Sequence, residues 1–231
     1  MNVPNHIGII MDGNRRFAKR LMAKPWKGHE WGADKIELIL DWCDNLGIKE
    51  LTLYALSIEN LDRPKEELDF LMKIFKKEMD RLLVDKRVYS KKMKVNFIGR
   101  LELLPKDVQA KIKKVEDKTK KHDKFILNFA MAYSGQREVV DAAVKIAKQV
   151  KEGKLNIKKI NEELFRNNLQ LKDAPDLVIR TGGEKRTSNF LVWQSAYSEW
   201  IFLEKMFPEF NKEDFFKCIE EYSNRQRRFG R

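Results

Sequence analysis

Hydrophobic positions along the chain fall into two patterns that alternate from one end to the other. Short continuous apolar runs are typical of buried strands, and stretches with apolar residues at i, i+3, i+4 and i+7 are typical of helices. The clearest helical stripe runs from Leu68 to Leu83, after Pro64, which suits a first helical turn. The pattern predicts strands at 7–11, 51–56, 95–98, 125–132, 176–180 and 200–203. It predicts helices from residue 15, over 32–46, over 68–83, over 105–121, over 137–151, over 157–168 and over 211–227.

Six predicted strands separated by helices indicate an α/β fold with a central, mostly parallel six-stranded sheet flanked by helices. No linker rich in Gly, Ser or Pro and no internal repeat interrupts the pattern, so we expect a single domain over residues 1–231. Open α/β sheets bind ligands at the carboxyl ends of their strands. Polar residues that follow predicted strands should therefore meet at one edge of the sheet. These residues are Asp12, Ser57, Glu59, Asn60 and Gly182.

Composition and charge narrow the classes of function. The hydrophobic content of 42% is ordinary for a globular protein. No apolar run approaches the roughly 18 residues needed to span a bilayer. We expect no cleaved signal and free thiols at Cys43 and Cys218, and hence a cytoplasmic protein. The formal net charge of +12 fits nucleic acid, an anionic membrane or phosphorylated small substrates as partners.

The arginines differ from the lysines in where they stand. Lysines cluster on predicted helix faces, where they are typical of a solvated surface. Several arginines stand instead at strand ends and turns, namely Arg15, Arg16, Arg63, Arg180 and Arg186. A guanidinium group binds phosphate through a fork of two donors, so these arginines indicate phosphorylated substrates.

The first polar cluster follows the first predicted strand. This strand stops at Asp12, and Gly13 and Asn14 then turn the chain into a helix that opens with Arg15 and Arg16. Free backbone amides at such a turn, together with arginines, form an anion site. Asp12 has two interpretations in this position: it caps the helix, or it holds a cation for chemistry on a phosphorylated substrate.

Two further clusters follow later strands. In 57–64, Ser57 can donate to phosphate, Asn60 can orient or accept a proton, and Arg63 can clamp an anion, whereas helix capping explains only one of these residues. In 176–190, Arg180 leaves a strand, and Arg186 and Ser188 follow a Gly-Gly pair, which predicts a second anion site. Two such sites in one domain suggest transfer between two phosphorylated substrates.

Taken together, these ordered motifs resemble the cis-prenyltransferases, the family of undecaprenyl and dehydrodolichyl diphosphate synthases. The resemblance covers essentially the whole chain, and the Asn-Arg-Arg motif and the terminal Arg-Phe-Gly are similar to those of archaeal and eukaryotic members. It rests on His6 and on the segments 11–16, 28–29, 57–60, 63–64, 176–184, 188–190 and 193–199.

The resemblance implies a reaction: an allylic diphosphate primer is elongated by repeated 1′–4 condensation with isopentenyl diphosphate, and each new double bond is cis. It implies that Asp12 and Glu199 hold Mg²⁺ and that Asn60 acts with Asp12 in catalysis. A neutral amide is a weak base, so the pyrophosphate itself remains an alternative proton acceptor. The implied primer diphosphate site is Gly13, Asn14, Arg15, Arg16, Phe17, His29, Ser57, Ile58, Glu59 and Arg63. The implied isopentenyl diphosphate site is Arg180, Arg186, Thr187, Ser188, Arg228 and Gly230.

The family also implies a homodimer in which the C-terminal Arg228 and Gly230 reach across the interface to the second site. It implies a hydrophobic tunnel for the product, lined in part by the helix over 68–83. Leu61 and Trp31 depart from the residues that many relatives carry, which leaves product length and the choice between geranylgeranyl and farnesyl diphosphate open.

Two alternative functions are weighed against this interpretation, and a membrane is expected as a further partner. A non-catalytic subunit of a heteromeric synthase tends to lose the Asp and arginines of the first motif, but this chain keeps Asp12, Arg15 and Arg16. A nucleic-acid-binding protein is disfavoured, because no recognised module is present and aromatic residues are not interleaved with the basic runs. An apolar product and a basic surface predict peripheral contact with the inner face of a membrane.

Overall fold

The computed structural model of the protein describes residues 2–225. This range contains six strands and eight α-helices, joined by loops and short 3₁₀ turns. The strands are β1 (His6–Ile10), β2 (Glu50–Tyr54), β3 (Met93–Ile98), β4 (Phe125–Ala130), β5 (Leu177–Arg180) and β6 (Glu199–Phe202). The helices are α1 (Asn14–Arg20), α2 (Lys27–Leu46), α3 (Lys65–Val84), α4 (Lys86–Ser90), α5 (Lys106–Thr119), α6 (Gly135–Lys151), α7 (Glu162–Asn167) and α8 (Lys212–Asn224).

The strands form one sheet in the order β3-β4-β2-β1-β5-β6. Every neighbouring pair is parallel, so the sheet is parallel throughout rather than mostly parallel. β1 lies in the interior of the sheet, between β2 and β5. All six carboxyl ends therefore face the same edge, as the sequence predicted for the site.

Three elements differ most from the predicted ones. The helix predicted over 157–168 is a 3₁₀ turn at Ile157–Lys159 followed by α7, which covers only Glu162–Asn167. α4 was not predicted, because it is too short to show a hydrophobic period, and it begins where the Asp85 carboxylate accepts a hydrogen bond from the Arg87 amide at 2.8 Å. α2 begins at Lys27, five residues earlier than the predicted 32. Its first turn crosses α1 so closely that a Cβ at Gly28 would stand 1.9 Å from the Asn14 carbonyl oxygen, so this crossing needs a glycine.

The main core lies on one face of the sheet. Ile7 and Ile9 of β1, with Leu51 and Leu53 of β2, are fully buried there against α2, α3, α5 and α8. A smaller core on the other face contains Tyr133, Phe190 and Leu191. α5 also covers the edge of β3, because the Val95 and Phe97 amides donate to Thr119 and Glu116 at 3.1 and 3.0 Å.

Candidate active site

The site begins where β1 ends. The Gly13 backbone adopts a left-handed conformation (φ 98°), and a Cβ at this position would stand 2.8 Å from the Cβ of Met206. Gly13 is the N-cap of α1, and no side chain caps this helix. Asp12 therefore does not have the helix-capping role that its sequence position left open.

Asp12 is instead the centre of a charged cluster. Its carboxylate accepts hydrogen bonds from the Gly13 amide at 2.6 Å and from Arg180 at 2.8 Å, and it lies 3.3 Å from the Arg16 guanidinium. Burial disfavours the charged form. The hydrogen bonds from Arg180 and Gly13 and the charges of Arg180 and Arg16 outweigh burial and hold the pKa of Asp12 below its ordinary value. Asp12 is therefore ionised at neutral pH.

Arg180, at the end of β5, connects two anion-binding clusters: the first is the turn at 12–16, and the second is the segment 180–188. Its side chain is only 3% exposed. Besides Asp12, it donates to the Ser188 hydroxyl at 2.7 Å and to the Arg186 carbonyl oxygen, while its buried Nε has no hydrogen-bond partner. The Tyr54 hydroxyl holds the same loop by donating to the Ser188 carbonyl oxygen at 3.2 Å. The two sequence clusters thus form one continuous site.

A buried carboxylate organises the opposite side of the site. Glu67 of α3 is 3% exposed and accepts a hydrogen bond from Arg63 at 3.0 Å. It also lies 3.6 Å from Arg15 and 3.9 Å from the His29 ring. Burial, followed by the charges of Arg63 and Arg15, lowers the pKa of His29 to about 3. His29 is therefore a neutral imidazole at the edge of an arginine-rich surface.

A cavity of about 540 Å³ opens at this carboxyl edge and extends between α2 and α3. Its polar end contains Asp12, Asn14, His29, Ser57, Glu59, Asn60, Arg63, Arg180, Arg186 and Ser188. Its deeper walls are apolar and include Ala33, Ile36, Leu71, Ile74, Phe75 and Phe129. An adjoining cavity of about 430 Å³ contains Gly13, Arg15 and Arg16 with Arg63 and His29. This arrangement can hold a phosphorylated head group beside an apolar tail.

Three residues assigned to the substrate site stand apart from both cavities. Phe17 packs edge-on against Trp31, with ring centroids 5.6 Å apart. Ile58 contributes a backbone amide to the Tyr133 carbonyl oxygen at 3.0 Å. Thr187 is exposed in the turn that carries Arg186. The assigned tail residues Arg228 and Gly230 lie outside the described residues.

Glu199 lies away from the other predicted site residues of the same chain. It opens β6, and Leu177 is its partner in the sheet register, whereas Phe202 is level with Arg180. The three residues between Glu199 and Phe202 place it about 10 Å away from the carboxyl edge. Its carboxylate pairs with Arg225 at 2.6 Å. Within one chain, Asp12 and Glu199 therefore cannot hold the same metal ion.

Several residues of the site were not identified from the sequence. Glu67 had a signal, because it lies one helical turn after Arg63, where a helix brings opposite charges together. Asn189 belongs to the motif segment 188–190 but received no role: its side chain donates to the Ser134 hydroxyl at 2.7 Å, across 55 positions of sequence. Glu184 pairs with Arg186 at 2.5 Å and lies 3.7 Å from Arg16, so it stands between the two anion-binding clusters.

The family model for undecaprenyl diphosphate synthases matches residues 10–230, which include every residue that contributes to the two cavities. The chain belongs to this family. Two curated relatives bear the name tritrans,polycis-undecaprenyl-diphosphate synthase (geranylgeranyl-diphosphate specific). The protein from Pyrococcus horikoshii is 52% identical over 99% of this chain and 88% of its own length. The protein from Methanopyrus kandleri is 50% identical over 99% of this chain and 85% of its own length.

Solved structures of the same family share the fold. Lavandulyl diphosphate synthase from Lavandula x intermedia, solved with dimethylallyl diphosphate, superposes with a TM-score of 0.93 and is 37% identical over 99% of both chains. A probable undecaprenyl diphosphate synthase from Campylobacter jejuni superposes with a TM-score of 0.82 and is 35% identical over all of both chains. The chain is thus an enzyme that transfers prenyl groups, a polyprenyl diphosphate synthase of the cis type.

Proposed function

We propose that this family member elongates an allylic diphosphate by sequential 1′–4 condensation with isopentenyl diphosphate to a long-chain polyprenyl diphosphate. One observation carries the proposal: Asp12 and Arg180 join two anion-binding clusters at the polar end of an apolar cavity. Geranylgeranyl diphosphate is the proposed primer, because the curated relatives are named for it. Farnesyl diphosphate is the second candidate. The product would serve as a precursor of a lipid carrier in glycan synthesis.

The primer diphosphate would bind at the start of α1 and against α3. The Gly13 turn supplies backbone amides, and Arg15, Arg16 and Arg63 supply guanidinium donors. Neutral His29 can donate one hydrogen bond without adding charge. As the bond between the primer carbon and its diphosphate oxygen breaks, the electron pair leaves with the pyrophosphate. These donors stabilise the negative charge that develops there.

Isopentenyl diphosphate would bind at Arg180, Arg186 and Ser188, which the Arg180 hydrogen bonds already hold together. Its alkene then faces the primer across Asp12. As the new carbon–carbon bond forms, a proton leaves the isopentenyl unit. Asn60 lines the cavity and can orient this proton, and the pyrophosphate oxygens are the stronger base.

Mg²⁺ is the proposed cofactor. This ion is commonly held by one or two carboxylates together with substrate phosphates and water. Asp12 fits that role, because its ionised carboxylate is 30% exposed between the two clusters. Among residues 2–225, no group of three His, Cys, Asp or Glu side chains could hold a metal, so phosphate oxygens would complete the ligand set. The bound ion would neutralise charge on the departing pyrophosphate.

A homodimer is also proposed. α6 exposes Val140 and Val144, which stand one turn apart, and Trp193 and Tyr197 are exposed in the segment after the second anion-binding cluster. Exposed apolar side chains in such numbers favour a protein–protein surface. The C-terminal residues Arg228 and Gly230 would complete the isopentenyl diphosphate site from the partner subunit, and such a subunit could also bring Glu199 to a metal site.

We place the enzyme in the cytoplasm, in peripheral contact with the inner face of a membrane. No helix in the described part of the chain is long and apolar enough to cross a bilayer. The apolar product and the net charge of +12 both favour contact with an anionic lipid surface.

Labelled isopentenyl diphosphate tests the proposal directly. The protein is incubated with Mg²⁺ and either geranylgeranyl or farnesyl diphosphate, and the products are separated by length. We expect a polyprenyl product that requires the metal, with geranylgeranyl diphosphate the better primer. Absence of product with either primer would refute the catalytic proposal and favour the alternative, a non-catalytic partner subunit of a heteromeric synthase.

A further inference from the structure

The turn between α1 and α2 carries the most exposed large apolar side chain among residues 2–225. Met22 is 98% exposed, and Leu21, directly before it, is 54% exposed. Neither belongs to the two hydrophobic cores that the described residues form. A single exposed apolar side chain is ordinary on a protein surface, but here two stand together at the tip of a turn. Residues 19–25 are called the Met22 turn below.

The backbone of the Met22 turn is also unusual. α1 ends where the Ala23 amide donates to the Ala18 carbonyl oxygen at 2.9 Å and the Met22 amide donates to the Lys19 carbonyl oxygen at 3.0 Å. These two hydrogen bonds form the Schellman motif, in which the first residue beyond the helix is left-handed and is usually glycine. Met22 adopts that conformation, with φ 55°. Both its backbone and its exposed side chain are therefore unfavourable in water, which points to an apolar partner that the described residues do not supply.

The charge around the turn indicates an anionic partner. Residues 13–29 contain six arginines and lysines and no aspartate or glutamate. The cations are Arg15, Arg16, Lys19, Arg20, Lys24 and Lys27. The three arginines and Lys27 pair with carboxylates outside this segment. In the part of the chain that the structure describes, Lys19 and Lys24 are exposed and form no ion pair. Their ammonium groups thus stay available on both sides of Met22.

An apolar tip between unpaired lysines fits an anionic lipid surface. The headgroup layer of a membrane accepts apolar side chains at the level of the acyl chains, and its phosphates attract lysines. Trp26 adds a side chain that is typical of this layer: its ring lies 5.2 Å from the Lys24 ammonium and 6.2 Å from the Phe70 ring. A nucleic acid would use the lysines but leave Met22 in water. Two apolar side chains are also too few for a stable protein–protein interface.

The Met22 turn borders the proposed primer site. α1 has Arg15 and Arg16 in its first turn and is only seven residues long, so the Met22 turn follows them within about 10 Å. Lys19 and Pro25 line the same cavity of about 430 Å³ as these arginines. An allylic diphosphate with a long prenyl tail partitions into the headgroup layer, because its tail is apolar and its diphosphate is charged. A membrane seated on the turn would therefore hold the primer close to the site.

We propose that the Met22 turn is a membrane-docking site that inserts Leu21 and Met22 between the headgroups of an anionic lipid surface. Lys19 and Lys24 bind the lipid phosphates on either side. The inference rests on the proposed function, because it assigns the proposed peripheral membrane contact to one segment of the chain. Docking through this segment directs the primer site toward the surface in which the primer is dissolved.

Flotation of the full chain with vesicles tests the assignment. The vesicles contain either phosphatidylcholine alone or phosphatidylcholine with phosphatidylglycerol. Met22→Gly removes the apolar side chain and relieves the left-handed backbone, so it should raise the melting temperature while it weakens binding to the anionic vesicles by about tenfold. A residue with a merely structural role would not change the two in opposite directions. Lys24→Gln should weaken the same binding by about fivefold.

Val84→Ser is the matched control. Val84 is 78% exposed, but it ends α3, about 30 Å along that helix from its start next to Arg63, and Asp85 follows it. This variant should bind vesicles like the wild type.

Three outcomes would overturn the inference. If Met22→Gly and Lys24→Gln bind anionic vesicles as tightly as the wild type, the assignment to the Met22 turn is wrong and the proposed membrane contact stands. If the wild type binds no anionic vesicles, both the inference and the proposed membrane contact are wrong, while product formation in solution still tests the proposed condensation. If Met22→Gly changes the oligomeric state without lipid, the partner of the turn is a protein.

Discussion

Replacing Asp12 with Asn separates the binding of diphosphate from the chemistry that follows. The substitution retains the shape of the side chain and an oxygen for the Gly13 amide, but it removes the negative charge next to Arg180 and Arg16. If Asp12 holds a metal against the substrate phosphates, turnover should collapse. Because the carboxylate also opposes the charge of a bound anion when no metal is present, metal-free binding should improve. We expect both effects in the same variant.

The size of each effect follows from the geometry. Two unit charges about 4 Å apart interact by about 1 kcal/mol in water and about 4 kcal/mol near a protein surface. Asp12 is 30% exposed, so the lower half of that range applies. That half, about 1 to 2.5 kcal/mol, corresponds to about 5- to 70-fold in affinity, so Asp12→Asn should bind pyrophosphate more tightly by about that factor without metal. Loss of one transition-state charge interaction lowers kcat by about 10²–10³-fold.

Calorimetric titration with pyrophosphate in a chelator measures the first effect, and product formation with Mg²⁺ measures the second. Glu184→Gln is the control, because it removes a neighbouring carboxylate that pairs with Arg186 and lies near Arg16. It should also tighten pyrophosphate binding but change turnover by less than about tenfold, a cost below 1.4 kcal/mol. Near-normal turnover of Asp12→Asn would refute the role of Asp12 in catalysis.

Three further predictions concern single positions. Folding lowers the pKa of His29 from 6.5 to about 3. As the pH drops below 6.5, His29 becomes protonated in the unfolded protein but not in the folded one, so the free energy of unfolding falls. Between pH 7.5 and 5 the wild type should lose about 2 kcal/mol more unfolding free energy than His29→Gln in denaturant titrations, and equal losses would contradict a neutral His29. Gly182→Ala places a Cβ 2.8 Å from the Arg16 side chain and should raise KM for the primer diphosphate, which Arg16 would bind. Gly153 also has a positive φ but lies in open space, so Gly153→Ala should leave the kinetics unchanged. Truncation before Arg228 should raise KM for isopentenyl diphosphate, and unaltered kinetics would exclude the tail from the site.

The sequence predicted the strands well because each is a compact apolar run. It also predicted that Asp12 and Gly182 would share one edge, since both follow strands and the carboxyl ends of parallel strands face the same way. Arg180, at the end of the same strand as Gly182, meets Asp12 there. The two residues are 168 positions apart and lie 2.8 Å from one another. Topology alone brought them together.

Side-chain direction and strand polarity explain what sequence reasoning missed. Phe17 belongs to the predicted motif, but its position on α1 directs it to Trp31 rather than to the cavity. Glu199 precedes the predicted strand 200–203, so within one chain it lies at the amino edge, away from Asp12, and its predicted role in metal binding stays a prediction. Glu67 lies immediately before the predicted stripe 68–83, and its spacing from Arg63 indicated an ion pair but not its burial. A buried carboxylate there is explained only once Arg63, Arg15 and His29 are seen around it.

The interior position of β1 has a consequence for synthesis of the chain on the ribosome. β1 pairs with β2 soon after both are made, but its other neighbour, β5, follows more than 160 residues later. Until then β1 presents an open, apolar strand edge, the kind of surface that chaperones cover and that aggregates form on. A nascent chain that ends before β5 also lacks Arg180, so it cannot hold two diphosphates side by side. The proposed condensation therefore becomes possible only when nearly the whole protein has emerged.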